Sequence, residues 1–321
     1  MKKILVSIII VNYNGKQFLK TILNSIKRSN FKNYELLVVD NNSIDGSRQL
    51  LKKEYPSVKV IENKINLAYS GMNSALKYCR GKYILFLSND MEIEKKCIAN
   101  LVKILESDDS IGLTAPKLIG YYNRKLISGG TWLSRAFYNG HIQGNKKSKN
   151  CVIPYLGVGL IRKTIIDTYG YLFDPDYFIY AEDVDLGLRV RLLGKKTIFV
   201  ENAVIYHMHA VTTKPYFKSS KTTYLMERNL LTSFFKNMPL SRILLYLPYV
   251  LLMRVAAMIK DIFFLDFAGF FARIKALLWI IFNFYKVLSK RRNVQKYKKS
   301  STKFFLQIFR EKYLFKKKFI V

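Results

Sequence analysis

Lys82-Tyr-Ile-Leu-Phe-Leu-Ser-Asn-Asp-Met-Glu92 is the stretch on which the reading of this chain turns. Its uninterrupted apolar run, residues 83–87, predicts a strand buried on both faces, and the strand empties into a polar cluster carrying Asp90 and Glu92. Open α/β sheets bind ligands just beyond the carboxyl ends of their strands, so a core strand that stops at acids delivers them to a site, where a carboxylate usually needs a cation. A local alternative is that Asp90 caps a following helix whose first turn Glu92 and Glu94 make acidic.

The preceding residues supply the rest of such a sheet. Residues 3–11 form a continuous apolar strand, Asn12-Tyr-Asn-Gly15 is a turn, and Phe18, Leu19, Ile22, Leu23 and Ile26 carry the spacing of an amphipathic helix over 17–29. A second strand, 34–40, ends at Asp40, followed by a polar turn and a helix to about Tyr55. A third, 58–62, precedes Asn66-Leu-Ala-Tyr-Ser-Gly-Met-Asn73 and a helix to Cys79. Strands alternating with helices predict a doubly wound, mostly parallel sheet flanked by helices. The strand ends suit a nucleotide: Asp40 to accept from a base N–H, Tyr13 to stack on the ring, and Asn14, Asn66 and Asn73 to offer amides. Taken singly, each is equally turn chemistry. The chain lacks both G-x-G-x-x-G after its first strand and G-x-x-x-x-G-K-[ST], which argues against a dinucleotide dehydrogenase and a P-loop enzyme.

Composition narrows the partners. The 321 residues are 50% hydrophobic and 14% aromatic, enough to bury a large core. Fifty-four Lys and Arg against 22 Asp and Glu, a net +32, call for a polyanionic neighbour: nucleic acid, acidic lipid or phosphorylated substrate. Cys79, Cys97 and Cys151 are odd in number and form no metal-type pair, as expected of ordinary thiols in a reducing compartment. Met1-Lys-Lys with the apolar run behind it imitates a signal peptide but lacks a small-residue cleavage site, so a first core strand is expected.

Ser7-Ile-Ile-Ile-Val-Asn-Tyr-Asn-Gly15, Val38-Val-Asp-Asn-Asn-Ser-Ile-Asp-Gly-Ser47, residues 66–73 and Leu85-Phe-Leu-Ser-Asn-Asp90 resemble, in that order, the nucleotide-binding half of the family 2 glycosyltransferases with the GT-A fold, their rhamnosyltransferase-like members above all. The resemblance implies that Asp40 contacts the nucleobase, that Asn89 and Asp90 lie at the donor diphosphate, and that Asp90 holds a divalent metal, Mn2+ or Mg2+. Where the family usually has Asp-x-Asp, this chain has Ser88-Asn-Asp90, so metal binding rests more heavily on Asp90.

Residues 111–119 read as another strand, 127–130 as a tight turn, and 134–150, rich in Asn, Gly, Lys and Ser, as a mobile loop able to close over a donor. Beyond them, Asp176, Glu182, Asp183 and Asp185 crowd among aromatic residues, where burial and like charge raise some of their pKa values. The local alternative is an acidic helix N-terminus. Tyr180-Ala-Glu-Asp-Val-Asp-Leu186 with Arg189 and Gly194 resembles the family's Glu-Asp motif, which implies Asp183 as the base for the acceptor hydroxyl, with Glu182 beside it. Two short strands, 197–201 and 203–206, lead to His207-Met-His209. Imidazole paired with a carboxylate suits Mn2+ or Mg2+, and the family's histidine matches His207.

Residues 240–321 change character. The apolar stretches 243–259 and 261–285 are interrupted by Arg254, Asp266, Arg273 and Lys275, so neither is expected to span a bilayer cleanly. Amphipathic helices in the membrane interface fit better, with Phe263, Phe264, Phe267, Phe270, Phe271, Leu277, Leu278 and Trp279 toward lipid. From Lys286 onward 13 Lys and Arg face one acid, Glu311. A helical appendage packed on the catalytic domain or a dimer partner is the alternative.

The expectation is therefore a GT-A glycosyltransferase domain over 1–239 and a basic, aromatic-rich membrane-docking tail over 240–321. Its implied activity is inverting, metal-dependent transfer from a UDP- or dTDP-sugar to a hydroxyl of a glycan or glycolipid acceptor in cell-surface polysaccharide synthesis, at the cytoplasmic side of the membrane, as a peripheral or monotopic protein and a possible homodimer. A nucleotide-sugar-binding GT-A protein of weak catalysis, or a nucleic-acid-binding protein, are the alternatives; the second is disfavoured because its basic residues gather among apolar helices without a nucleic-acid motif.

Overall fold

The computed structural model describes residues 4–128, 130–141, 157–208 and 219–309; His209 and Cys151 lie outside them. β1 (Val6–Asn12) is buried along its whole length, as an apolar run without polar alternation requires. It passes through Gly15 into α1 (Lys16–Lys27), whose five apolar positions all face inward. β2 (Tyr34–Asp40), α2 (Ser47–Glu54), β3 (Lys59–Glu62) and a 3-10 segment, Ala68–Tyr78, repeat the step. β4 (Tyr83–Ser88) then lies parallel to β1, which is parallel to β2 on its other side.

After Asp90 comes a strand and no helix. β5 (Met91–Ile93) runs antiparallel to the end of a later strand, and α3 (Cys97–Glu106) begins behind Lys96. The capping alternative for Asp90 is thereby overturned, because β-pairing claims the residues that a first helical turn would need.

The chain continues through β6 (Ile111–Gly120), β7 (Leu126–Ser128), β8 (Thr131–Leu133), β9 (Asn139–His141), β10 (Gly159–Arg162), α4 (Lys163–Tyr169), α5 (Glu182–Leu192) and β11 (Lys196–His207). The sheet order is β3-β2-β1-β4-β10-β6-β11-β5. β10 is antiparallel to both β4 and β6, so the sheet is mixed beyond its nucleotide-binding half. The two short strands expected before His207 are one strand with an irregularity between Val200 and Val204. The loop expected over 134–150 is corrected in its first half: β8 and β9 pair as a hairpin that buries Ala136 and Phe137, because Leu133 and Phe137 join the core beside α5. Residues 142–150 fall outside the described chain.

α6 (Ser219–Asn237), α7 (Leu240–Phe263), α8 (Phe267–Phe282), α9 (Phe284–Gln295) and α10 (Thr302–Leu306) complete the fold. One apolar cluster contains Phe137, Val184 and Leu188 together with Ile243, Val250, Ile280 and Val287, so the C-terminal helices share a core with α5. Each such fully buried side chain contributes roughly 1.5–3 kcal/mol. α7 is 24 residues long and, by length and composition alone, apolar enough to cross a membrane, with Pro248 accommodated inside it.

Candidate active site

Parallel pairing brings the first polar residues after three strands to one edge, since Asn12 is level with Asp40 and Val11 with Ser88. Asn12 is fully buried and ties them together. Its amide nitrogen donates to Asp40 Oδ2 at 2.8 Å and to Ser43 Oγ at 3.2 Å, and its amide oxygen accepts from Asn89 Nδ2 at 2.7 Å. Asp40 Oδ1 accepts from the Ser43 backbone at 2.8 Å, with Arg48 Nε 3.7 Å away. Gly15 leaves room for this network: a Cβ there would sit 1.7 Å from Asn89 Nδ2.

The amides expected at the donor are placed differently from one another. Asn14, at φ 47°, accepts from Ile44 N at 2.9 Å, and Asn66 Oδ1 accepts from Ala68 N at 2.8 Å, so both shape their turns. Asn73 braces two segments. Its oxygen accepts from Leu172 N and Phe173 N at 2.9 and 3.2 Å and its nitrogen donates to Phe173 O at 2.7 Å, joining the nucleotide half to the segment before α5. Tyr13 stands half-buried beside Asn14.

Asp90 is buried in the turn between β4 and β5. The Ser88 hydroxyl donates to its Oδ1 at 2.5 Å, and His207 Nε2 lies 3.1 Å from its Oδ2. Burial alone would raise the Asp90 pKa, but the hydrogen bond and charge of His207, with the Ser88 hydroxyl, hold it below the ordinary carboxylate range. Ser88, a departure in the sequence, thus orients and helps ionise the remaining acid. The oxygen–nitrogen pair fits a hard divalent cation: 3.1 Å is close to the spacing of adjacent ligands on an octahedral ion with bonds of about 2.1 Å. Among the described residues no group of three or more His, Cys, Asp or Glu that could hold a metal ion occurs.

The second half of the site is the start of α5. Tyr180 and Ala181 adopt φ 71° and 59°, a left-handed pair without glycine that costs on the order of 1–3 kcal/mol per residue. Asn229 on α6 holds it, donating to Ile179 O at 3.1 Å and Tyr180 O at 2.7 Å. The turn presents Glu182 and Asp183, both buried. Burial, reinforced by the Asp183 charge, pushes Glu182 up to about 8, and its Oε2 has no hydrogen-bond partner among the described residues. Asp183 Oδ1 accepts from Val184 N at 2.7 Å.

The expected cluster of four like-charged carboxylates divides into two environments. Asp185 meets Arg189 Nε at 2.9 Å and Lys236 Nζ at 2.7 Å, and Lys236 also meets Asp174 at 2.6 Å. Asp176 pairs with Lys286 and Lys290 of α9, each at 2.9 Å, and Lys290 also contacts Asp174. Burial opposes ionisation of all three, yet these cations outweigh it and hold Asp174, Asp176 and Asp185 below the usual range. They anchor the loop and helix that carry Glu182 and Asp183.

Tyr69 joins the two halves. Its pKa is raised well above the ordinary value by burial first, then by the charges of Asp90, Glu182 and Asp183, while Ser88 lies in hydrogen-bonding reach of its hydroxyl. The acid of the β4 turn and both acids of α5 thus lie within electrostatic range of one phenol. Its ring rests edge-on to Phe173 at 5.9 Å and against Gly157, where φ is +59° and an added Cβ would lie 2.8 Å from the ring. Sequence reasoning passed over Tyr69, Asn12, Asn229 and Lys236. The first two stand inside motifs quoted for other residues; the last two carry no local signal.

A buried acid with an imidazole at one side and a second acid pair at the other can hold a charged leaving group while deprotonating a nucleophile. The family model described as Glycosyl transferase family 2 matches residues 7–170. Over 185 residues the chain is 30% identical to the UDP-Glc:alpha-D-GlcNAc-diphosphoundecaprenol beta-1,3-glucosyltransferase WfgD of Escherichia coli, covering 56% of this chain and 70% of that protein. Among solved structures, S. aureus TarS 1-349 in complex with UDP superposes with a TM-score of 0.53 at 18% identity, over 73% of this chain and 66% of that one. The mannosyltransferase PcManGT from Pyrobaculum calidifontis, in complex with GDP-Man and Mn2+, gives 0.55 at 15% identity over 94% and 84%. At these identities the structural likenesses speak for the GT-A fold.

Proposed function

The chain belongs to glycosyl transferase family 2, and from that premise we propose that it transfers a sugar, with inversion, from a nucleoside-diphosphate donor to a hydroxyl of a lipid-linked glycan during cell-surface polysaccharide synthesis. The observation that supports the reading is a buried Asp90 paired with His207 Nε2 at 3.1 Å, within electrostatic range of the same Tyr69 phenol as the buried Glu182–Asp183 pair. In this mechanism Asp183 takes the proton of the acceptor hydroxyl as that oxygen bonds to the anomeric carbon, and the bond from that carbon to the diphosphate breaks. Glu182, held neutral, adds no second negative charge beside the attacking oxygen. Asp40 receives the nucleobase, Tyr13 and Asn14 border it, and Asn66 and Asn89 shape the donor pocket through their turns. Asp90 and His207 would hold a Mn2+ or Mg2+ ion, whose chemistry is to neutralise charge on the departing diphosphate.

A UDP-hexose is the favoured donor, supported by the UDP-Glc in the name of WfgD and the UDP in the TarS complex. The dTDP-rhamnose suggested by the motif resemblance is the competing donor. The diphosphoundecaprenol in the name of WfgD supports a lipid-linked acceptor and hence work at the cytoplasmic surface of the membrane, with 240–321 as the docking region. The test is a thermal-shift and donor-hydrolysis panel of UDP-glucose, UDP-N-acetylglucosamine and dTDP-rhamnose with and without Mn2+, repeated on Asp183→Asn. Expected are stabilisation by one donor and hydrolysis reduced ~10²–10⁴-fold in the variant with donor binding intact. Undiminished turnover in a folded Asp183→Asn protein would remove Asp183 as base.

A further inference from the structure

We infer that the α7–α8 hairpin lies in the interface of an anionic membrane, apolar side inward, as a monotopic anchor that does not cross the bilayer. The inference rests on the membrane-surface location proposed above and specifies which face docks and how deeply.

α7 divides lengthwise. Ile243, Val250, Arg254 and Asp261, spaced seven, four and seven residues apart, are buried on one side. Leu244, Leu252, Val255 and Ile259 are exposed on the other. At the corner with α8 the exposure peaks, with Phe263 79%, Phe264 67% and Leu265 74% accessible. Phe271 and Phe282 extend the surface along α8. A continuous apolar face this long is far beyond the scattered exposed leucines of an ordinary surface.

The buried side explains why the helix does not thread a bilayer despite its length. Arg254, at its middle, donates to the carbonyls of Ala136 and Phe137 in the β8–β9 hairpin and lies 3.2 Å from Glu227 on α6. Arg273 of α8 contacts the same Glu227 and meets Asp261 at 2.7 Å. A spanning α7 would drag these buried ions and the hairpin into hydrocarbon, at a cost far above the gain from its exposed leucines. With one side bonded to the catalytic body, only the other is left for lipid.

Charge selects the occupant. Between Leu240 and Gln295 nine Lys and Arg stand against two acids, Asp261 and Asp266. Asp261 is paired internally, whereas Lys260, over the Phe264 ring, and Lys275, one turn from Phe271 and Leu278 on α8, are exposed. Such a border repels a second copy of itself and attracts phosphate headgroups, each cation near the surface adding about 1 kcal/mol.

The experiment adds the full chain to preformed vesicles of phosphatidylcholine alone or with one quarter phosphatidylglycerol, at 0.1 and 0.5 M salt. Retention on the anionic vesicles, weakened by salt, is expected. The exposed-residue variant Phe263→Ser/Phe264→Ser/Leu265→Ser should lose at least about tenfold in retention with its melting profile unchanged. Equal retention of the variant, or a wild-type chain that ignores vesicles and forms dimers that the variant disperses, overturns the inference. For depth, Ser241→Cys and Lys260→Cys are placed at the two ends of α7 in a Cys151→Ser background, Cys79 and Cys97 being buried. In sealed membranes an impermeant maleimide should reach both from the same side; labelling from opposite sides means a span. Retention does not depend on turnover, so a failed transfer assay with intact vesicle binding counts against the enzyme reading alone.

Discussion

Asn229, on α6, donates its side-chain amide to the carbonyl of Tyr180 at 2.7 Å, closing the left-handed turn from which Glu182 and Asp183 emerge. The same nitrogen reaches Ile179 O, so two carbonyls of a strained segment depend on one side chain. Asn229→Ala is expected to cost about 1–3 kcal/mol in stability and to lower kcat by about tenfold or more, with little change in donor KM, because the base moves while the nucleotide half stays in place. Urea unfolding and steady-state kinetics check both parts.

Glu182 keeps its proton to about pH 8 in the folded chain, well above an unfolded glutamate. Folding therefore takes up a proton between the ordinary carboxylate range and pH 8, and stability drains away as pH rises through that window. Glu182→Gln retains the neutral form at every pH. Relative to wild type, its melting temperature should be higher at pH 8.5 than at pH 5.5 by at least ~2 °C, measured by calorimetry. A constant difference across pH would show that Glu182 is ionised in the fold.

Lys236 is fully buried between Asp174 and Asp185. Lys236→Met removes the cation shared by two buried carboxylates, leaving Asp185 to Arg189 and Asp174 to Lys290, and breaking such a buried pair costs up to about 3–5 kcal/mol. A large fall in melting temperature is expected. The double variant Lys236→Met/Asp185→Asn should recover part of it, a coupling readable from a double-mutant cycle.

Asp90 and His207, 3.1 Å apart, are the ligand pair proposed for a divalent ion on the donor diphosphate. In wild type, Mn2+ should add to the thermal stabilisation expected from UDP, because a ligand that binds only the folded chain stabilises it. Asp90→Asn and His207→Ala should keep part of the UDP effect and lose the Mn2+ increment. An unchanged increment in both variants would send the search for ligands elsewhere.

The strands of the nucleotide half were legible in sequence because buried parallel strands must be continuously apolar, and residues 34–40 end where the reading placed them. The acids at strand ends were legible for the same reason, since a strand that stops at Asp40 or Asp90 has only one sheet edge on which to leave it. Asp90 itself shows where local reasoning stops. Acidic residues before an apolar run satisfy a helix cap and a strand turn equally well, and the choice fell to β11, whose pairing partner is more than a hundred residues away in the chain.

Sequence by itself determined the α/β alternation, the strand-end polar residues and the basic, apolar character of the C-terminal region, because these follow from periodicity and composition over a few turns of chain. Tertiary structure alone decided which carboxylates are ionised, since Asp185 and Glu182 are both buried but Lys236 and Arg189 reach only the first. It also decided which side of α7 is free, because that depends on where Glu227 and the β8–β9 hairpin come to rest against Arg254. Charge and burial act through distance in space, and distance in space is what a local pattern of residues does not contain.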